Sequence, residues 1–165
     1  MTKSLLILGA GGHGKVVKEI AEALGYTKIA FLDDNSTEAV GRIADSKAFV
    51  EEYHEAFVGI GNNRFRGELL ARLEKEGYDI SVLVHPTAYI SKSAVIGKGT
   101  VVEPMAIVNA NSKIGIGCII SVGSIVDHDV VLEDCVHVNA GAICKAGSIV
   151  AKETRVDAGQ VVQGF

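Results

Sequence analysis

The 165-residue sequence has no tryptophan, and only 5% of it is aromatic. A core built on large rings is excluded. With 48% hydrophobic residues, the interior has to be stacked from Val, Ile and Ala. Cysteine is scarce as well: three residues, at 118, 135 and 144, with no C-x-x-C pair among them. That excludes a disulfide framework and is expected of reduced packing residues in a cytoplasmic protein. No cluster reads as a zinc site, so no metal is expected. Long hydrophobic runs are missing too. The first apolar stretch, Leu5–Leu8, is too short for a signal peptide or a membrane span. Excess positive charge is also lacking: the formal net charge is −4, which gives no reason to expect a nucleic-acid partner.

What the chain has instead is a period of six. From Val84 to Val162 every sixth residue is aliphatic, or once a cysteine: Ile90, Ile96, Val102, Val108 and so on, through Cys144 and Val156. A second column, four places later in each unit, is mostly small, as in Ala88, Ala94, Ser112, Ser124 and Ala142. No α-helix has this period. A short fixed repeat marks a solenoid, in which each unit buries its face only by stacking on its neighbours. The branched residues suit short strands.

The first 80 or so residues read differently. Ser4–Leu8 is expected as a buried strand, followed by Gly9-Ala10-Gly11-Gly12-His13-Gly14 and a helix with Val16, Val17, Ile20, Ala21 and Leu24 on one face. Strands are expected at Ile29–Leu32, Ala56–Ile60 and Val82–Val84. A helix from about Arg64 to Glu76 should turn Phe65, Leu69, Leu70 and Leu73 inward. Residues 35–53 carry no clear pattern. Alternating strands and helices imply a parallel sheet with right-handed crossovers. The expected fold is therefore a Rossmann-like α/β half domain over residues 1–82, then an all-β parallel β-helix over 83–165.

The glycine turn matches G-x-G-x-x-G in the setting that motif requires, after a strand and before a helix. Glycines admit a diphosphate to the backbone, and the helix start offers N–H groups to it. Asp33 and Asp34 end the second strand, where an acid accepts hydrogen bonds from a ribose or a base. Half of a dinucleotide site suits a nucleoside diphosphate. The alternatives are a full NAD site and a turn that binds nothing.

The succession Gly11-Gly12-His13-Gly14-Lys15-Val16-Val17, Asp33-Asp34, Gly59-Ile60-Gly61-Asn62-Asn63 and then hexapeptides resembles the nucleotide-sugar acyltransferases of the NeuD/PglD type. The resemblance implies a left-handed β-helix, a homotrimer, acetyl-CoA as acyl donor and a nucleotide-linked amino sugar as acceptor, with a UDP-linked one expected. It implies that Gly11, Gly12, His13 and Gly14 meet the phosphates, Asp33 and Asp34 the base, and Gly61 and Asn62 the rim of the site.

Acetyl transfer from a thioester needs a nucleophile relieved of its proton, a task suited to histidine. His128 stands between inward columns in Val126-Asp127-His128-Asp129-Val130, with an acid on each side to orient it. If a coil is three hexapeptides, its neighbours one coil away are Ala110 and Ala146, which leave a groove. The resemblance implies that His128 is the general base and that Asp129, in place of the family's glutamate, orients it. It also implies that His137 and Ala146 lie by the acyl donor. His137 is half a coil from His128, so the two can share a site only across subunits. The repeats end at Gln163-Gly164-Phe165, whereas the family continues with further coils, so the coenzyme cradle is expected to be partial. Rival readings are an O-acetyltransferase of a sialic-acid-like sugar and a non-catalytic nucleotide-sugar-binding trimer.

Overall fold

The computed structural model describes residues 3–165, which divide into two compact units meeting between Leu83 and Val84. In the first unit the elements run β1 (Ser4–Leu8), α1 (Gly12–Ala23), β2 (Lys28–Leu32), a 3₁₀ helix (Ile43–Phe49), β3 (Glu55–Val58), α2 (Asn63–Glu76) and β4 (Asp79–Ile80). The sheet order is β2-β1-β3-β4, all parallel. The chain passes from β1 outward to β2 and returns to the other side of β1 for β3. The order therefore reverses beside β1, and in open α/β sheets ligands bind at the carboxyl ends of strands where this happens.

α1 buries Val17, Ile20 and Ala21 of the expected stripe, while Val16 is exposed and Leu24 half-buried. α2 buries Arg66, Leu69, Leu70 and Leu73, while Phe65 stays 41% exposed, contrary to the sequence expectation. The inward stripe begins with an arginine because its guanidinium finds oxygen acceptors. Nη1 donates to the Ile60 carbonyl at 3.0 Å and Nη2 to Asn63 Oδ1 at 2.7 Å. A buried charge is tolerated when it is hydrogen-bonded in this way. A second expectation also changes. The fourth strand of this sheet is Asp79–Ile80, and Leu83–Val84 belongs to the repeats. Two short apolar runs so close together cannot be assigned to different sheets by pattern alone.

In the second unit, two-residue strands recur every sixth residue and pair in parallel with the strand three units on. The registers Ile119↔His137, Ile125↔Ile143 and Val131↔Ile149 all step by 18, which makes each coil three hexapeptides. This is a left-handed parallel β-helix with three sheets as its faces. The inner column from Val102 to Val156 and its small companions form one core. Polar members of the small column serve the turns. Thr100 Oγ1 donates to the Gly115 carbonyl at 3.0 Å and accepts from the Cys118 N–H at 3.0 Å. The three cysteines are buried thiols. Among the described residues no helix is long and apolar enough to cross a membrane.

The glycines of the first unit differ sharply in what they permit. Gly9 has φ +102°, and a Cβ at Gly14 would collide with the Gly9 carbonyl oxygen. A Cβ on Gly59 would stand 2.8 Å from the Gly14 Cα. The start of α1 thus lies directly on the ends of β1 and β3. Gly11 and Gly12 have open space where a side chain would go. Gly14→Ala is expected to destabilise the first unit by about 2 kcal/mol or more, while Gly11→Ala leaves stability near the parent value. Thermal unfolding of the two variants checks this.

Candidate functional site

In the first unit, the expected nucleotide residues gather on three loops at the carboxyl ends of β1, β2 and β3. Gly11 is the N-cap of α1 without any side-chain cap, and no acid occupies the first turn. His13 is half-buried in that turn and Gly14 is fully buried. The two aspartates have different duties. Asp33 Oδ2 accepts from the Ala10 N–H at 2.8 Å, and its Oδ1 accepts from Asn35 and Ser36 at 2.8 and 3.0 Å. These bonds, that from Ala10 foremost, hold its carboxyl below the usual range. Asp33 therefore ties the glycine turn to the loop after β2. Asp34 is exposed, with Oδ1 accepting from the Ile43 N–H at 3.1 Å.

Gly61 and Asn62 are both exposed. Asn62 Oδ1 accepts from the Phe65 N–H at 2.9 Å and so caps α2. Sequence reasoning passed over Lys15, which brings positive charge to a loop set otherwise rich in acids. Its Nζ lies 2.8 Å from Glu38 Oε1.

In the second unit, His128 and Asp129 occupy the exposed turn between the strands Ile125–Val126 and Val131–Leu132. His128 Nδ1 and Asp129 Oδ2 are 2.7 Å apart. Asp129 has φ +58°, the left-handed region that aspartate tolerates better than most residues. From that backbone the short acid reaches the imidazole, so replacing glutamate by aspartate keeps the pair intact. The hydrogen bond to Asp129, with the charges of Asp127 and Asp129 behind it, raises the His128 pKa above its ordinary value. With Nδ1 engaged, Nε2 is the nitrogen left to face a substrate. Ala146 sits one coil on, next to the glycine that Phe165 covers. The Phe165 ring lies against Gly147, with its centroid 6.5 Å from that of His128.

His137 lies on a strand, His137–Val138, of the face opposite the His128 corner. The structure does not bring the two histidines together within one chain. Ser121, which sequence reasoning missed, has Oγ 3.1 Å from His137 Nε2. No group of three or more His, Cys, Asp or Glu among the described residues is arranged to hold a metal ion.

Residues 4–73 match the PglD N-terminal domain family. The acetyltransferase domain of PglB from Neisseria gonorrhoeae, solved in complex with acetyl coenzyme A, is similar with a TM-score of 0.93 and 36% identity, over 99% of this chain and 83% of that one. A point mutant of perosamine N-acetyltransferase from Caulobacter crescentus, in complex with CoA and GDP-perosamine, is similar with a TM-score of 0.89 and 30% identity, over 99% of this chain and 90% of that one. UDP-N-acetylbacillosamine N-acetyltransferase of Bacillus subtilis is 38% identical over 110 residues, a match that spans 61% of this chain and 51% of that relative. A hexapeptide β-helix with a histidine–carboxylate pair on an exposed turn defines the class of hexapeptide-repeat acyltransferases. Within that class, the chain belongs to the nucleotide-sugar acyltransferases of the PglD type.

Because Asp129 is the main cause of the raised His128 pKa, Asp129→Asn is expected to lower it toward the ordinary imidazole value. NMR titration of the imidazole checks the direction, which is downward in pH.

Proposed function

We propose that this chain is an acetyl-CoA-dependent N-acetyltransferase acting on the amino group of a nucleotide-linked amino sugar in glycan biosynthesis. The observation that carries the reading is the 2.7 Å His128–Asp129 pair on an exposed turn. The acyl donor supplies the thioester. His128 Nε2 takes a proton from the sugar amine as its nitrogen attacks the thioester carbonyl carbon. The C–N bond forms, the C–S bond breaks, and the departing sulfur takes up the proton from the imidazolium. Asp129 keeps the imidazole in one tautomer and stabilises its cation. His137 and Ala146 are proposed to border the acyl donor, and Lys145, Lys152 and Arg155 provide exposed cations for its phosphates.

The acceptor is proposed to be a UDP-sugar held on the first unit. Its diphosphate lies over Gly11, Gly12, His13 and Gly14, its base meets Asp34, and Gly61 and Asn62 form the rim. The open space at Gly11 and Gly12 supports this placement. Asp33 contributes by fixing the shape of both loops.

A homotrimer follows from two features. His128 and His137 serve one site only if they come from different subunits. The faces flanking the His128 corner also turn apolar residues outward, with Tyr89 and Val161 57% and 45% exposed on one, and Val95 and Ile149 61% and 70% exposed on the other. Apolar columns of this kind call for a cover, and another copy of the chain provides it. The reaction is placed in the cytoplasm, in keeping with thiols buried in the core.

With a panel of UDP-, GDP- and dTDP-linked amino sugars, acetyl-CoA consumption is expected for at least one. His128→Ala should lower turnover by roughly 10²–10⁴-fold with an unchanged circular dichroism spectrum. Near-normal turnover in that variant sinks the mechanism. Asp34→Ala should weaken UDP binding in calorimetry without altering affinity for acetyl-CoA. A monomer by light scattering that still transfers acetyl overturns the shared site.

A further inference from the structure

His128 has an acid on each side, yet only Asp129 is bonded to the ring. The other acid is held elsewhere. Asp127 Oδ1 accepts the His128 backbone N–H at 2.7 Å and the Asn109 Nδ2–H at 3.1 Å. Asn109 is itself fixed, because its Oδ1 accepts the Ala110 N–H at 2.8 Å. It stands one coil before Asp127, in the corner column that runs Ser91, Asn109, Asp127, Lys145, Gln163. From the same preceding coil, the buried Ser112 donates its Oγ–H to the Asp127 carbonyl at 2.6 Å and accepts the Val130 N–H at 3.1 Å. The turn that presents the imidazole is thus gripped at both ends by the coil beneath it.

We propose that Asn109 is a positioning residue for the acetyl transfer: it ties Asp127 to the backbone, so that His128 has a single carboxylate partner and keeps Nε2 clear for the substrate. The inference rests on the reading of His128 as the general base. An imidazole between two unrestrained carboxylates can be bonded through either nitrogen. A carboxylate on Nε2 holds a proton there, which removes the lone pair that has to accept one from the amine. Asp127 is adjacent to His128, and its charge already acts on the ring. What separates the two acids is where they are held: Asn111, one coil before Asp129, also bonds that acid but leaves its Oδ2 on the ring, whereas Asn109 and the His128 N–H hold Asp127 Oδ1 against the backbone. The remaining charges on this corner are Lys145, one coil beyond Asp127 and donating to Gln163 Oε1 at 2.9 Å, and Lys92, two coils before His128. Neither lysine stands between the imidazole and Asp127 in the chain or in the column.

The test uses the full chain labelled for histidine NMR, together with steady-state kinetics. In Asn109→Ala, Asp127 keeps only the His128 backbone N–H and is freer to turn toward the ring, so it stabilises the imidazolium, the His128 titration midpoint rises and the acid limb of kcat moves to higher pH. At neutral pH, kcat falls roughly 10-fold, the scale of losing an outer orienting partner, while KM for both substrates stays put. The double variant Asn109→Ala with Asp127→Asn removes the released charge, and both the midpoint and kcat return toward the parent. Asn109→Ser uses the residue found at Ser91 in the same column, and it shows the same upward shift in smaller measure even if alanine loosens the corner. A midpoint and a kcat both unchanged in Asn109→Ala overturn the proposal, and so does a loss that Asp127→Asn leaves unrepaired. The NMR measurements need no turnover. If they behave as expected while His128→Ala remains active, the general-base reading fails and the tethering of Asp127 stands.

Discussion

Coil-to-coil backbone hydrogen bonding in an 18-residue step is the constraint on which the second unit depends. The N–H of the strand residue bonds the carbonyl 17 residues on, as in Ile125 to Ala142 and Val131 to Ser148, at 2.9 Å each. At the corners the direction reverses. The left-handed residue donates back to the previous coil, as in Asp129 to Ala110 at 2.9 Å and Gly141 to Val122 at 3.1 Å. Each coil is therefore bonded both forward and back through the backbone, and side chains such as Thr100 and Ser112 add bonds at the turns. The side chains decide what the path encloses and what it displays. Val, Ile and Ala fill the inside, and the corners display polar groups such as His128 and Asp129.

This explains why so much of the second unit was legible. A solenoid translates sequence period directly into space, with contacts at a constant separation, so a column in the sequence is a column in the molecule. His128 and Asp129 could be placed at a corner by counting. The conformation that lets a short acid reach the ring could not, because it is the left-handed turn at Asp129 that shortens the gap. Asn109 and Ser112 were equally hidden. Each is an ordinary polar residue until the 18-residue step sets it beneath Asp127 and the ends of the His128 turn. Ser121 meets His137 in the same way, from the neighbouring coil.

The first unit was legible for a different reason and to a different degree. Three of its strands, its two α-helices and the turn Gly9–Gly14 followed from periodicity and motif; the strand Asp79–Ile80 and the 3₁₀ helix Ile43–Phe49 did not. The errors came where polar partners override hydrophobic pattern. Arg66 takes an inward place because the Ile60 carbonyl and Asn63 receive it, and Phe65 is left outside. Asp33, expected at the base of a nucleotide, also accepts from three backbone N–H groups, a strut that the motif does not display. Motifs locate loops well. Which acid in a loop is a strut and which faces a ligand depends on backbone donors that the sequence does not display.

The corner that carries His128 is one storey of a column whose other storeys have nearly the same backbone. Ala110 lies one step before it and Ala146 one step after. Nothing in the coil geometry singles out the middle storey for the role proposed for it; that distinction is made by the side chains set around it. The scaffold resembles a graduated rail, and the histidine–carboxylate pair is a rider on it. Descent with modification can slide such a rider by 18 residues, with its acid and its amide tether, while the rail stays as it is. Related chains of different coil number can then hold the same chemistry at different heights.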